Sequence, residues 1–270
     1  MKYQKKYLLI VLPIVIVLLF GNLLGINLIT KEMNQAIPVL TYHCLTDDVT
    51  LAKSNPLYVS NRKFEQDLKY LKNNGYTTLF AKDMMKPLPK KPIVITFDDG
   101  YQNNDTFGYP LLKQYEMKAT IFVIASAMGS DRKLSWQGAR FLADSGVVDI
   151  QSHTYDLHHT DQYGIASMKQ ASNETEKQYR ERLNTDITKT NESFDHYMGY
   201  RPCVFVFPYG AYNDINEQVL KEAGYLVTFT SENRIGKKND SFYLFPRIEI
   251  YERTSLSYLL MKYTVLGLFN

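Results

Sequence analysis

The chain has 270 residues, of which 45% are hydrophobic and 22% are charged, and this length is enough for one well-buried domain of barrel or layered α/β size. The formal net charge is only +3 and the basic residues are scattered along the chain, so composition gives no indication of a nucleic-acid-binding surface. The two cysteines form no CxxC pair and no zinc-finger spacing with histidine, which excludes a structural zinc site of that type.

The N-terminus has the charge and length pattern of an exported protein. Lysines within residues 1–6 precede an apolar stretch at 7–29, which is long enough to cross a bilayer as a helix. No small-x-small cleavage site follows, so we favour a single-pass membrane anchor over a cleaved signal that would leave the protein secreted. The positive-inside bias then places residues 1–6 in the cytoplasm, residues 30–36 form a linker, and a domain at 37–270 lies outside the cell.

The remaining chain alternates between strand-like and helix-like segments. Apolar runs rich in β-branched and aromatic residues predict strands, and apolar residues three and four apart predict helices. The pattern predicts strands at 37–43, 76–80, 93–97, 119–125, 147–150, 204–207 and 225–230, and helices at 62–73, 109–115, 136–145, 167–194 and 213–223. Such alternation is typical of an α/β fold with a parallel sheet, which is either open and doubly wound or closed into a barrel.

Polar residues follow several of these predicted strands. They are His43, the pair Asp98 and Asp99, His153, and Tyr209. Because the carboxyl ends of parallel strands converge at one face, where ligands and catalytic groups gather, we expect these residues to meet in one cleft.

The adjacent carboxylates would point in different directions if strand geometry persists through them. One could then bind a metal while the other stays free as a general base, although an ordinary turn is the alternative for Asp-Asp-Gly. His153 and His158 are five residues apart, a spacing that requires a loop or a helix entry and not one regular helical face. Two histidines and one carboxylate leave positions open on a divalent cation, as a catalytic site needs.

Three short motifs resemble those of the NodB-homology polysaccharide deacetylases, carbohydrate esterase family 4. They read TFDDG at 96–100, SHT at 152–154 with a second histidine downstream, and FPYG at 207–210. The resemblance implies a distorted (β/α) barrel, and it implies hydrolysis of an N-acetyl group to an amine and acetate. It also implies a divalent metal, usually zinc, with cobalt or nickel as alternatives.

By the same resemblance, the metal ligands would be Asp99, His153 and His158. Asp98 would be the general base, and the backbone N–H of Tyr209 would be an oxyanion donor. Residues 152–158, which read SHTYDLH, look most like deacetylases of the biofilm polymer poly-β-1,6-N-acetylglucosamine, the intercellular-adhesin type. Peptidoglycan deacetylases, which more often carry the second histidine one residue closer, are the alternative, and so is a catalytically weak relative that only binds an extracellular N-acetylglucosamine polymer.

The chain departs from the family pattern in two places. Val206 stands where the family often has an arginine, so Arg247 is the candidate to orient the base, with Arg201 less favoured and a plain surface charge as the alternative for either. The family often has a late histidine as general acid, but none follows His196, so the acid is unassigned. His43 could line the site or have a structural role.

Three questions remain open at the level of sequence. Cys44 and Cys203 could form one disulfide or remain free. Trp136, the single tryptophan, is expected to open a helix and pack, with sugar stacking as the alternative. Nothing in the pattern specifies an oligomeric state.

Overall fold

The computed structural model describes residues 36–160 and 166–266. The predicted membrane anchor at 7–29 lies outside these ranges, as do residues 1–6 and most of the predicted linker. Within the described ranges, no helix combines the length and apolar character that crossing a membrane requires. The anchor therefore stays a prediction from sequence.

The strands, in chain order, carry most of the apolar runs identified in the sequence. They are β1 (Ala36–Ile37), β2 (Val39–Tyr42), β3 (Cys44–Thr46), β4 (Tyr58–Ser60), β5 (Thr77–Leu79), β6 (Pro92–Phe97), β7 (Ala119–Val123), β8 (Val148–Ser152), β9 (Val204–Val206), β10 (Val227–Asn233), β11 (Gly236–Lys237) and β12 (Phe245–Glu249).

Seven parallel strands close into a barrel. Their order is β2-β12-β10-β9-β8-β7-β6, and β6 pairs back onto β2. The barrel is irregular, because β8 and β9 are joined at Ser152↔Phe205 and the β10–β12 register shifts between Phe229 and Asn233. The closed form of the predicted parallel sheet is thus confirmed as a distorted (β/α) barrel. Strand β5 joins the start of β6, and the short antiparallel pair of β1 with β11 lies outside the barrel.

The helices lie between the strands. They are α1 (Val49–Ser54), α2 (Asn61–Asn73), α3 (Tyr109–Tyr115), α4 (Trp136–Asp144), α5 (Glu176–Met198), α6 (Asp214–Glu222) and α7 (Leu256–Leu266). Side-chain caps define several of their starts: Ser60, Ser135 and Asn213 accept from backbone N–H groups in the first turns of α2, α4 and α6.

The predicted start of the long helix at residue 167 is wrong. Helix α5 begins at Glu176, because Thr175 and Gln178 form a reciprocal capping box there. The preceding segment is held in turns, where Arg182 donates to the carbonyls of Ser167 and Lys169. The polar composition indicated a helix, but the cap decides where it begins.

Two C-terminal elements were not predicted as elements. Strand β12 contains Pro246, a residue that argues against an interior strand. Helix α7 follows it. Strand β12 lies between β2 and β10 in the barrel and carries Arg247, so without this strand the position of Arg247 in the site could not be predicted.

The buried side chains of the described residues form three clusters, and alternation along the strands separates two of them. Val94 belongs to one cluster together with Phe122, Val206 and Phe229, while its strand neighbour Ile95 belongs to the other, which packs under the helices. Because side chains alternate between the faces of a strand, the first cluster fills the barrel interior. Inward-facing positions at the ends of the strands are therefore available for a site.

The structure shows how Trp136 packs and whether the two cysteines pair. Trp136 opens α4 and stacks on Tyr197, with ring centroids 5.0 Å apart, so the packing interpretation holds. Cys44 and Cys203 are both free.

Candidate active site

A cavity of about 490 Å³ opens at the carboxyl ends of the barrel strands. Its lining includes the five residues predicted to meet in one cleft, His43, Asp98, Asp99, His153 and Tyr209, and it also includes His158 and Arg247. The five predicted residues follow β2, β6, β8 and β9, so the convergence of parallel strand ends brings them together. His158 lies in the loop after β8, and Arg247 lies within β12. Arg201 is not among them, since it lies exposed on the surface in an ion pair with Asp195.

Asp98 is held by a bidentate ion pair inside the barrel. The two terminal nitrogens of Arg247 donate to the two carboxylate oxygens of Asp98, each at 2.8 Å, and the residues are 4% and 3% exposed. Arg247 also donates to Thr96 Oγ1 and to the carbonyl of Thr230, at 3.3 and 3.2 Å. Arg247 is therefore not a surface charge. A planar guanidinium in this arrangement fixes both the position and the orientation of the carboxylate.

The ion pair also sets the charge of Asp98. Burial alone would raise the pKa of this carboxyl, but the guanidinium of Arg247 outweighs burial and holds the pKa below its ordinary value. Asp98 is consequently ionised at neutral pH, as acceptance of a proton requires.

Asp99 lies in a different environment, beside two imidazoles. Its Oδ1 is 3.1 Å from His158 Nε2 and 3.6 Å from His153 Nε2. One potential ligand atom from each of the three residues lies within 4.8 Å of the others. Burial raises the pKa of the Asp99 carboxyl, whereas the neighbouring imidazoles of His158 and His153 lower it, and the net result is a pKa well below the usual range.

The tautomer of His153 follows from its hydrogen bond. Its Nδ1 lies 2.9 Å from the carbonyl oxygen of Val206, an acceptor, so Nδ1 carries the proton and Nε2 presents a lone pair towards Asp99. Burial lowers the pKa of His153 to about 4, which keeps the ring neutral at neutral pH. Val206, which replaces an expected arginine, thus contributes through its backbone.

These three side chains fit a divalent cation. Asp99 Oδ1 is buried yet makes no hydrogen bond, which is an unusual state for a carboxylate oxygen. The neutral imidazole of His153 directs its Nε2 lone pair towards the space beside this oxygen. The backbone carbonyl of Val206 orients that imidazole, as is typical of metal-binding histidines. A donor set of one carboxylate and two imidazoles matches zinc, cobalt or nickel and leaves positions for water and substrate.

The two motif turns at the cavity have left-handed backbone. Asp99 and Tyr209 have φ of 70° and 57°, conformations that non-glycine residues adopt at a cost of about 1–3 kcal/mol. Each is followed by a glycine, Gly100 or Gly210, also at positive φ, and a Cβ on Gly210 would lie 2.0 Å from Ser231 Oγ. The DDG and PYG sequences therefore form turns that direct Asp99 and the Tyr209 backbone to the cavity, and a turn at Asp-Asp-Gly is compatible with a role of the same residues in a site.

Sequence reasoning missed Lys133 and Tyr101. Lys133 Nζ donates to the backbone carbonyl of Asp99 at 2.9 Å and lies 3.6 Å from the centre of the Tyr101 ring. Burial and the nearby Asp99 raise the pKa of the Tyr101 hydroxyl well above its ordinary value, so it remains a neutral group that can donate a hydrogen bond. Tyr101 could have been identified from the sequence, because it follows the DDG segment directly. Lys133 could not, because it lies on a separate loop with no motif around it.

His43 lines the cavity, and its backbone carbonyl accepts a hydrogen bond from Asn104 at 2.8 Å. The neighbouring His159 lies outside the ligand cluster, and its Nδ1 is 3.0 Å from the carbonyl of Asp156. The cavity lining drawn from the described residues adds His43 alone to the two histidines beside Asp99.

Comparisons with known proteins agree with the motifs. The polysaccharide deacetylase family model matches residues 85–228. Bacillus subtilis YxkH, named for the same family, is 30% identical over 82% of this chain and 74% of its own length. The poly-beta-1,6-N-acetyl-D-glucosamine N-deacetylase of Staphylococcus aureus is 26% identical over 93% of both chains. The solved structure of a de-N-acetylase from Aggregatibacter actinomycetemcomitans superposes with a TM-score of 0.74 at 26% identity, covering 86% of this chain and 99% of that chain.

Proposed function

This chain belongs to the polysaccharide deacetylase family, and we propose that it removes N-acetyl groups from extracellular poly-β-1,6-N-acetylglucosamine in a divalent-metal-dependent hydrolysis. One observation supports the proposed reaction most directly: the two adjacent carboxylates have different partners. Asp98 is paired with Arg247, whereas Asp99 faces His153 and His158. Support for the polymer comes from the name of the Staphylococcus aureus relative, which aligns over nearly the full length of both proteins.

A bound divalent cation would supply Lewis-acid chemistry, polarising the acetamido carbonyl and activating a water molecule. Asp99, His153 and His158 would hold it. Asp98 accepts the proton of the attacking water, because its carboxylate is ionised and held in place by Arg247. The water oxygen then bonds to the acetyl carbon.

The backbone N–H of Tyr209 is the proposed donor to the oxyanion that develops on the acetyl group. When the carbon–nitrogen bond breaks, the leaving nitrogen needs a proton. Asp98, which has just accepted one, can return it, and this gives acetate and a free amine on the sugar. His43 lines the same cavity and is the second candidate for this proton transfer.

The proposed location follows from the sequence of the N-terminus. Residues 7–29 would anchor the chain in the cell membrane, with residues 1–6 in the cytoplasm and the barrel outside. An enzyme that faces outwards from the membrane is well placed for an extracellular polymer. Cleavage of the same segment, which would release a secreted enzyme, is the alternative.

The test is acetate release by the purified full-length protein in detergent, with Zn²⁺, Co²⁺ or Ni²⁺ added in turn. The β-1,6-linked N-acetylglucosamine polymer, peptidoglycan and a chitin-like chain are compared as substrates. We expect metal-dependent release from the β-1,6-linked polymer. We also expect Asp98→Asn to reduce the rate about 10²–10⁴-fold, the usual contribution of a general base.

The exposed Asp195 provides the control, because Asp195→Asn removes a carboxylate on the surface of α5 and should leave the rate unchanged. Release from peptidoglycan alone would refute the proposed substrate. If the wild-type protein binds these polymers but releases acetate from none, it is a binding protein and the proposed reaction is wrong. An Asp98→Asn variant with wild-type activity would refute the role of Asp98.

A further inference from the structure

The two histidines of the site are joined by a loop whose conformation is costly. His153 follows the last residue of β8 directly, and the next residue, Thr154, has φ of 80°. A β-branched residue in this region is a genuine outlier, and it persists only where surrounding contacts fix it. The backbone from Thr154 to His158 therefore requires an anchor outside the loop itself.

Asp186 provides contacts of this kind from the middle of α5. Its Oδ2 accepts the backbone N–H of Tyr155 at 2.8 Å, and its Oδ1 accepts those of Asp156 and Leu157 at 2.8 and 3.1 Å. The side chain is buried, with the residue 7% exposed. Three consecutive N–H groups of the loop are thus satisfied by one carboxylate, and hydrogen bonds to an ionised acceptor are stronger than neutral ones.

Apolar packing makes the anchor rigid. Leu183 and Ile187 flank Asp186 on α5, and they share a buried cluster with Leu157 of the loop. On the other side of the loop, the N–H groups of Ala125 and Ser126 donate to the carbonyls of Thr154 and Tyr155, at 3.0 and 2.9 Å. The loop is consequently held between the end of β7 and the helix α5.

We propose that Asp186 is a positioning residue, which fixes the backbone of residues 154–158 so that the His158 ring reaches the Asp99–His153 pair. It touches no proposed ligand atom, because its bonds go to backbone N–H groups of the loop. The inference rests on the proposed metal site. Asp186, a residue of helix α5 about 30 positions after the loop, then sets the geometry of the proposed metal site.

Asp186→Asn tests this, because the amide keeps the shape of the side chain but has one acceptor oxygen where the carboxylate has two. We expect the affinity for Zn²⁺ and for Co²⁺, titrated into metal-free full-length protein, to fall about 10- to 100-fold, the usual effect of losing a group that orients a metal ligand. Backbone amide exchange at residues 155–157 should accelerate in the metal-free variant. Excess metal should restore both the protection of these amides and much of the acetate release.

Asp149→Asn is the matched control. Asp149 is an equally buried carboxylate near the other end of β8, where it pairs with Lys82 at 2.6 Å and with Gln151 at 2.9 Å. Its replacement should lower the melting temperature without changing metal affinity. If Asp186→Asn also lowers the melting temperature and leaves metal affinity within twofold of wild type, Asp186 is only structural and the inference is wrong.

A variant that fails to fold is replaced by Asp186→Glu, which keeps the charge but moves the carboxylate by one methylene. Weaker metal binding by this variant supports the inference, and wild-type metal affinity overturns it. Failure here is distinguishable from failure of the proposed function. In the first case the wild-type protein releases acetate in a metal-dependent manner and the Asp186 variants bind metal normally, whereas in the second the wild-type protein itself releases none.

Discussion

Asp98 and Asp99 are neighbours in the chain, yet their surroundings differ in almost every respect. Both oxygens of Asp98 are bonded to Arg247, and two aromatic rings, Phe122 and Phe229, flank that guanidinium at 6.0 and 5.8 Å. Asp99 keeps a buried oxygen without a hydrogen bond, next to two imidazoles. A carboxylate whose two oxygens both have a partner suits the proposed role of base, whereas a carboxylate with an unpartnered oxygen is suited to bind a cation.

The backbone explains how adjacent residues reach such different places. Asp98 continues the alternation of β6 into the barrel interior, after Val94 and Thr96, and its N–H still donates to the carbonyl of Tyr42 at 3.0 Å. Asp99 leaves the strand in a left-handed conformation, and its carbonyl is held by Lys133. Strand β6 ends at Phe97, Asp98 still follows its direction, and the backbone turns away at Asp99.

The largest expected effect separates the two carboxylates by metal content. Asp99→Ala removes one of three proposed ligands, so we expect bound metal to fall below one tenth of the protein concentration and acetate release to fall to background. Asp98→Asn should lose activity but retain one metal ion per chain. Metal analysis after dialysis measures this difference. Equal metal content in the two variants would contradict the division of roles.

A smaller but still large effect is expected on the Asp98 side of the comparison. Arg247→Met leaves a buried carboxylate without its partner, which typically costs about 3–5 kcal/mol in the free energy of unfolding. Urea unfolding at pH 7 measures this loss. The exposed Arg201 supplies the control, since Arg201→Met breaks only a surface ion pair, whose contribution is about 0–1 kcal/mol.

The same pair of variants has a pH signature. The pKa of Asp98 is lowered in the folded protein, so its contribution to stability is present above the pKa of the unfolded state and is lost as pH falls through the folded pKa. Without Arg247 the remaining effect of burial raises that pKa, so the acid limb of the rate–pH profile should move to higher pH. An unchanged acid limb would mean that Asp98 does not act as the base.

The smallest expected effect concerns Tyr209, whose proposed role belongs to its backbone. Its side chain is 58% exposed and lies beside His158, with ring centroids 5.0 Å apart. Tyr209→Phe should therefore change the rate by no more than about twofold, which corresponds to roughly 0.5 kcal/mol.

Gly210→Ala should reduce the rate more than Tyr209→Phe does, because the new Cβ would meet Ser231 and displace the turn. Rates of acetate release for the two variants, measured side by side, check the order. A larger loss for Tyr209→Phe would assign the role to the phenolic hydroxyl.

The sequence by itself predicted the class of fold and the proposed ligand and base residues, which the structure places in the lining of one cavity. Strand endings marked Asp98, Asp99, His153 and Tyr209, and the five-residue separation of the two histidines required a loop. These features are local, since they depend on alternation, turn chemistry and short motifs. The predicted anchor at 7–29 has the same local basis and stays a prediction.

Tertiary structure decided how those residues are held. The ion pair of Arg247 with Asp98 joins positions 149 residues apart, and the bonds from Asp186 to the histidine loop come from a helix about 30 residues downstream. No local pattern encodes either contact, because each depends on barrel closure and on the position of α5. The sequence thus identified the groups proposed to perform the chemistry, and the closed barrel supplied the partners that orient them, since only packing brings distant side chains within hydrogen-bonding distance.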